Sequence, residues 1–437
     1  MKARESALLA LEAFRKRGAR PGMALANLAE REKMDRRETA LALNIVDGVL
    51  QNEALCDWRI GRHTDAGKLE PRVLDILRIS VYQLLFLTRV PSHAAVSEGV
   101  ELTKRYAPRA AGLVNAVLRR VSGEKDAAPE VGGTGAERLS VLYSHPLWLV
   151  RELEAEYGLA ACERILAADN TPAPVTLQVN TLKCTADEAA ESLAADGAEV
   201  VRCPLFSDAL RISGAGAVEE LRAWRGGLVY AQDAAARMAV AAAAPEPGAL
   251  VLDACAAPGG KSFAAAVLMR NRGRIVACDL HGKKLGQITR GAARLGITII
   301  ETAERDARTP APELEGKADT VLADVPCSGL GVCRRKPEIR YKDEAELARL
   351  PALQLGILRS AARCVKPGGT LLYSTCTILR RENEGVAEAF LSGAPDFELS
   401  PFVLPEPFGA CAGMRTILPY EGDTDGFFIC RMKRKTE

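Results

Sequence analysis

Apolar residues recur at three- and four-residue spacing along almost all of residues 1–120. The segments ALLALEAFRK, RETALALNIVDGVLQN, PRVLDILRISVYQLLFL, HAAVSEGVELTKRY and AAGLVNAVLRRV each carry this helical period, so residues 1–121 predict an all-α domain. Pro71 suits a first helical turn, and Pro91-Ser92 reads as a stop followed by an N-cap. Residues 122–137, SGEKDAAPEVGGTGAE, are polar, Gly-rich and aperiodic, and predict a linker. Over 138–227 two helices, LWLVRELEAEYG and ACERILAADN, precede a strand at VTLQVN, a helix at ADEAAESLAADG and strands at AEVVRC and ALRIS. That alternation predicts a small α+β unit. From 228 to 437 the pattern changes again: ALVLDAC, GRIVACD, ITIIETAE, ADTVLADV and GTLLYST are short apolar runs separated mostly by helical stretches. Strands alternating with helices predict an α/β, Rossmann-like parallel sheet covered on both faces.

Charge alters this picture in one respect. The whole chain has a formal net charge of +2, but residues 1–120 hold seven more basic than acidic residues, leaving −5 for the remainder. A basic front domain suits a polyanion, because binding phosphates releases their counterions. Further basic islands occur at Arg334, Arg335, Lys336, Arg340 and Lys342, and at Arg431, Lys433, Arg434 and Lys435. Any one of them is equally explained as a solvated face. Twelve cysteines without C-x-x-C spacing predict reduced thiols in a cytoplasmic protein, and four scattered histidines predict no metal site. The opening MKARESALLALEAFRKR mixes Glu5 and Glu12 with bases and reads as a first helix, not a targeting segment. No apolar run is long enough for a membrane span, and nothing demands more than a monomer.

Chemistry concentrates where the predicted strands end. The first ends in Asp253, followed by Cys255, Ala256, Ala257, Pro258, Gly259, Gly260, Lys261 and Ser262. A Gly-rich turn between strand and helix brings free amides close to a ligand. A phosphate-binding P-loop is disfavoured because Cys255 holds its first Gly position, and the dinucleotide fingerprint is absent. Asp279 ends the second strand, where a carboxylate accepts from ribose hydroxyls, and Asp306 follows the third, within reach of an adenine amino group. A lone strand-end Asp is ordinarily a turn residue; three behind successive strands of one sheet are less easily dismissed. The fourth and fifth strand ends, Asp324-Val325-Pro326-Cys327 and Ser374-Thr375-Cys376, each present a thiol. Most free cysteines are small buried hydrophobes, as expected for Cys56, Cys162, Cys184 and Cys364. Two at adjacent strand ends beside a cofactor crevice suit covalent activation of a pyrimidine. A thiolate added at C6 makes C5 nucleophilic, and a second group then assists removal of the C5 proton. This reading does not choose between Cys327 and Cys376.

The strings DACAAPGGKS, DVPCSGLGVCRRKPEIR and YSTCT resemble the Sun/Fmu-type RNA cytosine-5 methyltransferases. TDGFFICRMKRK and Glu382-Asn383-Glu384 resemble that family's closing strand and post-cysteine helix start, and LEPRVLDILRISVYQLLFLTRVPSHAAVSEGVEL with GLVNAVLRR resembles a NusB-like RNA-binding module. The likeness covers nearly the whole chain and is weakest over 122–137 and 185–225. It implies a class I methyltransferase domain using S-adenosylmethionine to methylate small-subunit ribosomal RNA. Cys255 through Lys261 would line the cofactor pocket, with Asp279 toward ribose, Asp306 toward adenine and Asp324 near the methyl and the base. It makes Cys376 the nucleophile and Cys327 its partner in product release, whereas DNA cytosine methyltransferases use the Pro-Cys cysteine. Arg334, Arg335 and Lys336 become candidates for RNA backbone contacts. Pro419 is followed by Tyr420 where many relatives have His. Against this stand an RNA-binding assembly protein with an inert catalytic half, a methyltransferase acting on another RNA, and one acting on DNA.

Overall fold

A computed structural model describes residues 2–436. The chain divides into two compact units, Met1–Thr171 with Cys333–Lys342, and Pro172–Val332 with Asp343–Glu437.

The first unit is helical. Helices Ala3–Arg17, Pro21–Arg31, Arg36–Gln51, Glu53–Gly61, Pro71–Phe86, Ser92–Tyr106 and Ala111–Gly123 follow the predicted periodicity. Pro71 occupies the first turn as expected, and Asp35 caps its helix by accepting from the Glu38 amide at 2.8 Å. Pro71–Phe86 is the central helix: it packs on Ala3–Arg17, Arg36–Gln51, Glu53–Gly61, Ser92–Tyr106 and Ala111–Gly123, burying Val73, Ile76, Leu77, Ile79 and Val81. Its buried charges are matched. Arg78 donates to both oxygens of Asp57 at 2.7 and 2.6 Å and to Asp75 at 3.1 Å, while Arg15 reaches Asp75 at 2.9 Å.

Three more helices, Gly135–Leu142, Leu147–Tyr157 and Leu159–Asp169, also belong to this unit. The last two were expected to open the α+β unit. Polar ties join them to the helices before them: the Leu55 amide donates to Ser144 Oγ at 3.1 Å and Gln51 Nε2 to the Asp169 carbonyl at 3.1 Å. The non-helical stretch between the two sets of helices is 124–134, shorter at both ends than the linker expected. A segment from late in the chain completes the unit. Arg340, wholly buried, donates from Nη1 to the carbonyls of Gln51 (3.1 Å), Tyr143 (3.3 Å) and Ser144 (3.1 Å), and from Nη2 to Asn170 Oδ1 (3.1 Å). Tyr341 Oη donates to the Leu50 carbonyl at 2.6 Å. These are orphan acceptors at helix ends, where a cation is also favoured by the helix dipole. Burial first, and then the charge of Arg340, push His145 down to about 4.

In the second unit, strands β1 (Val175–Val179), β2 (Glu199–Arg202), β3 (Ala209–Ser213) and β4 (Val229–Ala231) form an antiparallel sheet in the order β2-β3-β1-β4. The helix Ala186–Ala194, started by a capping box of Thr185 and Glu188, covers it with Ala189 and Leu193 against Leu177, Val179, Leu210 and Ile212.

The larger sheet contains β5 (Leu250–Asp253), β6 (Arg274–Asp279), β7 (Ile300–Glu304), β8 (Ala318–Asp324), β9 (Val365–Thr375), β10 (Phe397–Leu399), β13 (Met414–Ile417) and β14 (Phe427–Arg434); β11 (Phe402–Val403) and β12 (Ala410–Cys411) make a separate ribbon. The order is β10-β14-β9-β8-β5-β6-β7, with β13 also paired to β14. The parallel pairing predicted holds from β9 to β7, but β14 runs antiparallel to β9, β10 and β13. Successive residues alternate between two covered faces. Val251, Ile275, Ala277, Leu322, Leu372 and Ile429 pack under the helices Ala234–Ala243, Gly260–Leu268 and Gly282–Leu295. Leu252, Val276, Cys278, Val321, Tyr373 and Phe428 pack under Leu350–Ala362 and Glu384–Gly393. A period of two with both faces buried explains why these strands read as continuous apolar runs. Among the described residues no helix is long and apolar enough to cross a membrane.

Replacing Arg340 by Met should lower the unfolding free energy by about 3 kcal/mol, since the Gln51 and Ser144 carbonyls lose a charged donor. Urea denaturation checks this, and an unchanged midpoint would contradict it.

Candidate active site

The chain builds β5, β6 and β7 outward in one direction, then returns to add β8 and β9 on the other side of β5. Ligands in such sheets bind beyond the carboxyl ends of the strands at this switch point. Here the sequence leaves β5 through a tight turn. The Ala254 amide donates to the Leu322 carbonyl at 2.9 Å, the Ala256 amide to Cys278 at 2.7 Å and the Gly259 amide to Ala256 at 2.7 Å. The Ala257–Pro258 bond is cis, and Gly259 has φ 111°. Only glycine fits at 259: a Cβ there would stand 2.7 Å from Phe263 Cζ.

This turn walls a cavity of about 170 Å³ lined by Asp253, Cys255, Ala256, Ala257, Pro258, Gly260, Lys261 and Asp324, with Ala231, Gln232 and Ala236 opposite. Thus all but Gly259 of the expected turn residues line it, together with Asp324. Asp279 and Asp306 do not. Asp279 is buried at the end of β6, its Oδ1 accepting from the His281 amide at 2.9 Å. Asp306 is chelated by Arg308, from the amide at 2.9 Å and Nε at 3.0 Å, and those hydrogen bonds hold it down at about 2.

Asp324 is oriented from two sides, by Lys261 Nζ on Oδ2 at 2.7 Å and by Ser374 Oγ on Oδ1 at 2.8 Å. Asp253 is fully buried, and Ser262 Oγ donates to its Oδ2 at 2.6 Å. Burial raises it to about 6, against the lowering effect of Ser262.

The two thiols meet. Asp324 is opposite Ser374 in the parallel β8–β9 pair, so residues three and two places beyond them emerge side by side, with Cys327 Sγ 3.2 Å from Cys376 Sγ. The Cys376 sulfur, and after it burial, raise the Cys327 thiol well above its ordinary value. A buried polar frame fixes both loops. Glu382 Oε2 accepts from the Ser328 amide at 2.9 Å and from Gln354 Nε2 at 2.8 Å, and Gln354 also donates to the Pro326 carbonyl at 3.0 Å. Tyr373 Oη donates to the Glu382 carbonyl at 2.5 Å, Thr375 Oγ1 to Asn383 Oδ1 at 2.6 Å, and Asn383 Nδ2 to the Thr377 carbonyl at 3.0 Å. The Gly331 amide donates to the Cys376 carbonyl at 2.9 Å, and Gly426 donates to Gly331 at 2.7 Å. A Cβ on Gly331 would fall 2.0 Å from the Gly426 oxygen, so this crossing admits only glycine.

Sequence reasoning did not single out Gln232, Gln354 or Gly331, and read Glu382 and Asn383 only as a helix start. Signals existed for the last two, since a polar pair follows the second thiol within seven residues. None existed for Gln354. Arg334, Arg335 and Lys336 were expected beside Cys327 on the RNA path. The segment that carries them belongs to the first unit, where Arg334 is buried, Arg335 half-buried and Lys336 exposed. Among the described residues no group of His, Cys, Asp and Glu could hold a metal ion.

Strand order, glycine turn and strand-end acids define a Rossmann-like methyltransferase domain, behind an all-α unit and a small antiparallel one. The chain belongs to the 16S rRNA methyltransferase RsmB/F family. The model of that family matches residues 240–433, that of the NusB family 1–123, and that of the RsmF/B ferredoxin-like domain 145–219. The probable ribosomal RNA small subunit methyltransferase B of Bacillus subtilis (strain 168) is 38% identical over 99% of this chain and 98% of its own. A crystal structure titled PH0851 is 27% identical, with a TM-score of 0.80 over 99% of both chains. That of a methyltransferase homolog protein from Pyrococcus horikoshii is 27% identical, with a TM-score of 0.60 over 69% of this chain and 100% of that one.

An Asp whose folded pKa is raised favours the folded state while protonated and opposes it once ionised. Stability of the ligand-free protein should therefore fall as pH rises from about 4 through about 6 on account of Asp253. Asp253→Asn should add up to ~3 kcal/mol at pH 8 and nothing below about pH 4. Denaturation at the two pH values reads this directly, and a gain that does not depend on pH would contradict it.

Proposed function

We propose that this protein transfers a methyl group from S-adenosylmethionine to C5 of a cytosine in small-subunit ribosomal RNA, through a covalent bond between Cys376 and C6. The observation that carries the reading is the pair of thiols 3.2 Å apart, beside Asp324 and the glycine turn. Relatives named as ribosomal RNA small subunit methyltransferases supply the substrate class. Twelve free cysteines fit a reducing cytoplasm.

The turn Cys255–Lys261, Asp253 and Asp324 would hold the cofactor, with Asp279 and Asp306 toward its nucleoside. Their fit is supported by an orphaned acceptor, Asp253 Oδ1, on the cavity wall. When bound, S-adenosylmethionine supplies an electrophilic methyl on a sulfonium.

The target cytosine is poorly nucleophilic at C5. Addition of the Cys376 thiolate at C6 converts C5 into an enamine carbon. The resemblance to the RNA cytosine-5 methyltransferases, rather than the geometry of the pair, gives Cys327 the complementary role of assisting loss of the C5 proton and release of Cys376. Asp324, fixed by Lys261 and Ser374, is positioned to orient the base. A base within a folded RNA has to be unstacked to reach this crevice. The basic residues of 1–120 then give phosphate contacts without sequence preference.

Incubation with methyl-labelled S-adenosylmethionine and small-subunit RNA lacking the modification should label a cytosine at C5. Cys376→Ala should reduce transfer roughly a thousandfold or more. Cys327→Ala should accumulate an RNA–protein adduct stable to denaturing electrophoresis. Label on no RNA overturns the reading, and an adduct accumulating in Cys376→Ala instead would exchange the two roles.

A further inference from the structure

Gln232 is fixed by its backbone and left unsatisfied by its side chain. Its amide donates to the Thr176 carbonyl at 3.2 Å, and its carbonyl accepts from Gln178 Nε2 at 3.0 Å. The next residue, Asp233, caps the helix Ala234–Ala243 by accepting from the Ala235 amide at 2.9 Å. Held at both sides, the carboxamide is delivered to the cavity wall facing Gly260, with Nε2 3.5 Å from where a Gly260 Cβ would stand. Both Nε2 and Oε1 are buried and without a hydrogen-bond partner, and so is Asp253 Oδ1 across the same cavity. Buried donors and acceptors are seldom left unmet, so three such atoms around one small cavity point to a ligand that satisfies them together.

The set is one donor and two acceptors, one of the acceptors a carboxylate. An α-amino acid zwitterion is its complement: the ammonium offers donors to Asp253 Oδ1 and Gln232 Oε1, and the carboxylate accepts from Gln232 Nε2. A ribose or a purine edge would leave the carboxylate's charge unmatched. Lys261 does not compete for this role, being engaged by Asp324 at 2.7 Å.

We propose that Gln232 is a cofactor-binding residue that clamps the amino-acid end of S-adenosylmethionine together with Asp253. The proposal rests on the methyl-transfer reading above.

Calorimetric titration of the full chain with S-adenosylmethionine and with 5′-methylthioadenosine, which shares the nucleoside and sulfur but lacks the amino-acid end, tests it. Gln232→Ala should weaken S-adenosylmethionine binding by about tenfold or more, the worth of a hydrogen bond to a charged group, and leave 5′-methylthioadenosine within about twofold. Gln232→Glu should lose more, because its carboxylate faces that of the ligand. An equal loss for both ligands would assign Gln232 to holding the turn and overturn the proposal. So would unchanged cofactor affinity, including the case in which RNA binding falls instead and the carboxamide reads the base. Wild-type protein that binds neither ligand overturns the methyl-transfer reading and this proposal with it; normal wild-type binding with an unaltered ratio in the variant overturns this proposal alone.

Discussion

The active site depends on the register of one parallel strand pair. With Asp324 opposite Ser374, β8 delivers an acid and then a thiol, and β9 delivers a hydroxyl that orients the acid and then the second thiol. A slip of one residue in that pairing would turn each of these side chains to the opposite face of the sheet. The register is pinned by Leu322 and Leu372 under one helical layer and Val321 and Tyr373 under the other, so the hydrophobic layers and the chemistry are set by the same alternation. Glu382, Asn383 and Gln354 then lock the loops beyond the strands, where the sheet's own hydrogen bonds have ended.

Electrostatics divides the crevice into two parts. Asp324 is matched by Lys261, a pair that needs no ligand to be satisfied. Asp253 has one side-chain hydroxyl donor, Ser262, and is buried, so its charge is disfavoured. A cation bound beside Asp253 in the folded state alone would stabilise that state.

Much of this was legible because each feature is local. The glycine turn, the strand-end acids and the two thiols are contiguous strings at predicted strand ends, and the layered sheet followed from short apolar runs alternating with helical stretches. What was not legible depends on contacts between distant parts of the chain. Arg340 reads as one base in a basic island, yet it is enclosed by carbonyls from residues 51, 143 and 144. Nothing local separates a cation destined for helix-end carbonyls from one destined for solvent. The helices over 147–169 precede a strand in sequence, and their polar ties to the helices before them join residues too far apart in the chain to be read from it. Gln354 and Gln232 are ordinary helix and loop residues until the fold closes over them. Of the antiparallel end of the sheet only the closing strand was read, from its string, because β10 and β13 are too short to carry a period.

The central claim is that Cys376, not Cys327, forms the bond to the base. RNA bearing 5-fluorocytosine at the target lacks the C5 proton whose loss frees the enzyme, so the covalent adduct persists and its attachment can be mapped by peptide mass spectrometry. The modified nucleotide is expected on the peptide containing Cys376. Attachment at Cys327, or no adduct on RNA that is otherwise bound, would contradict it.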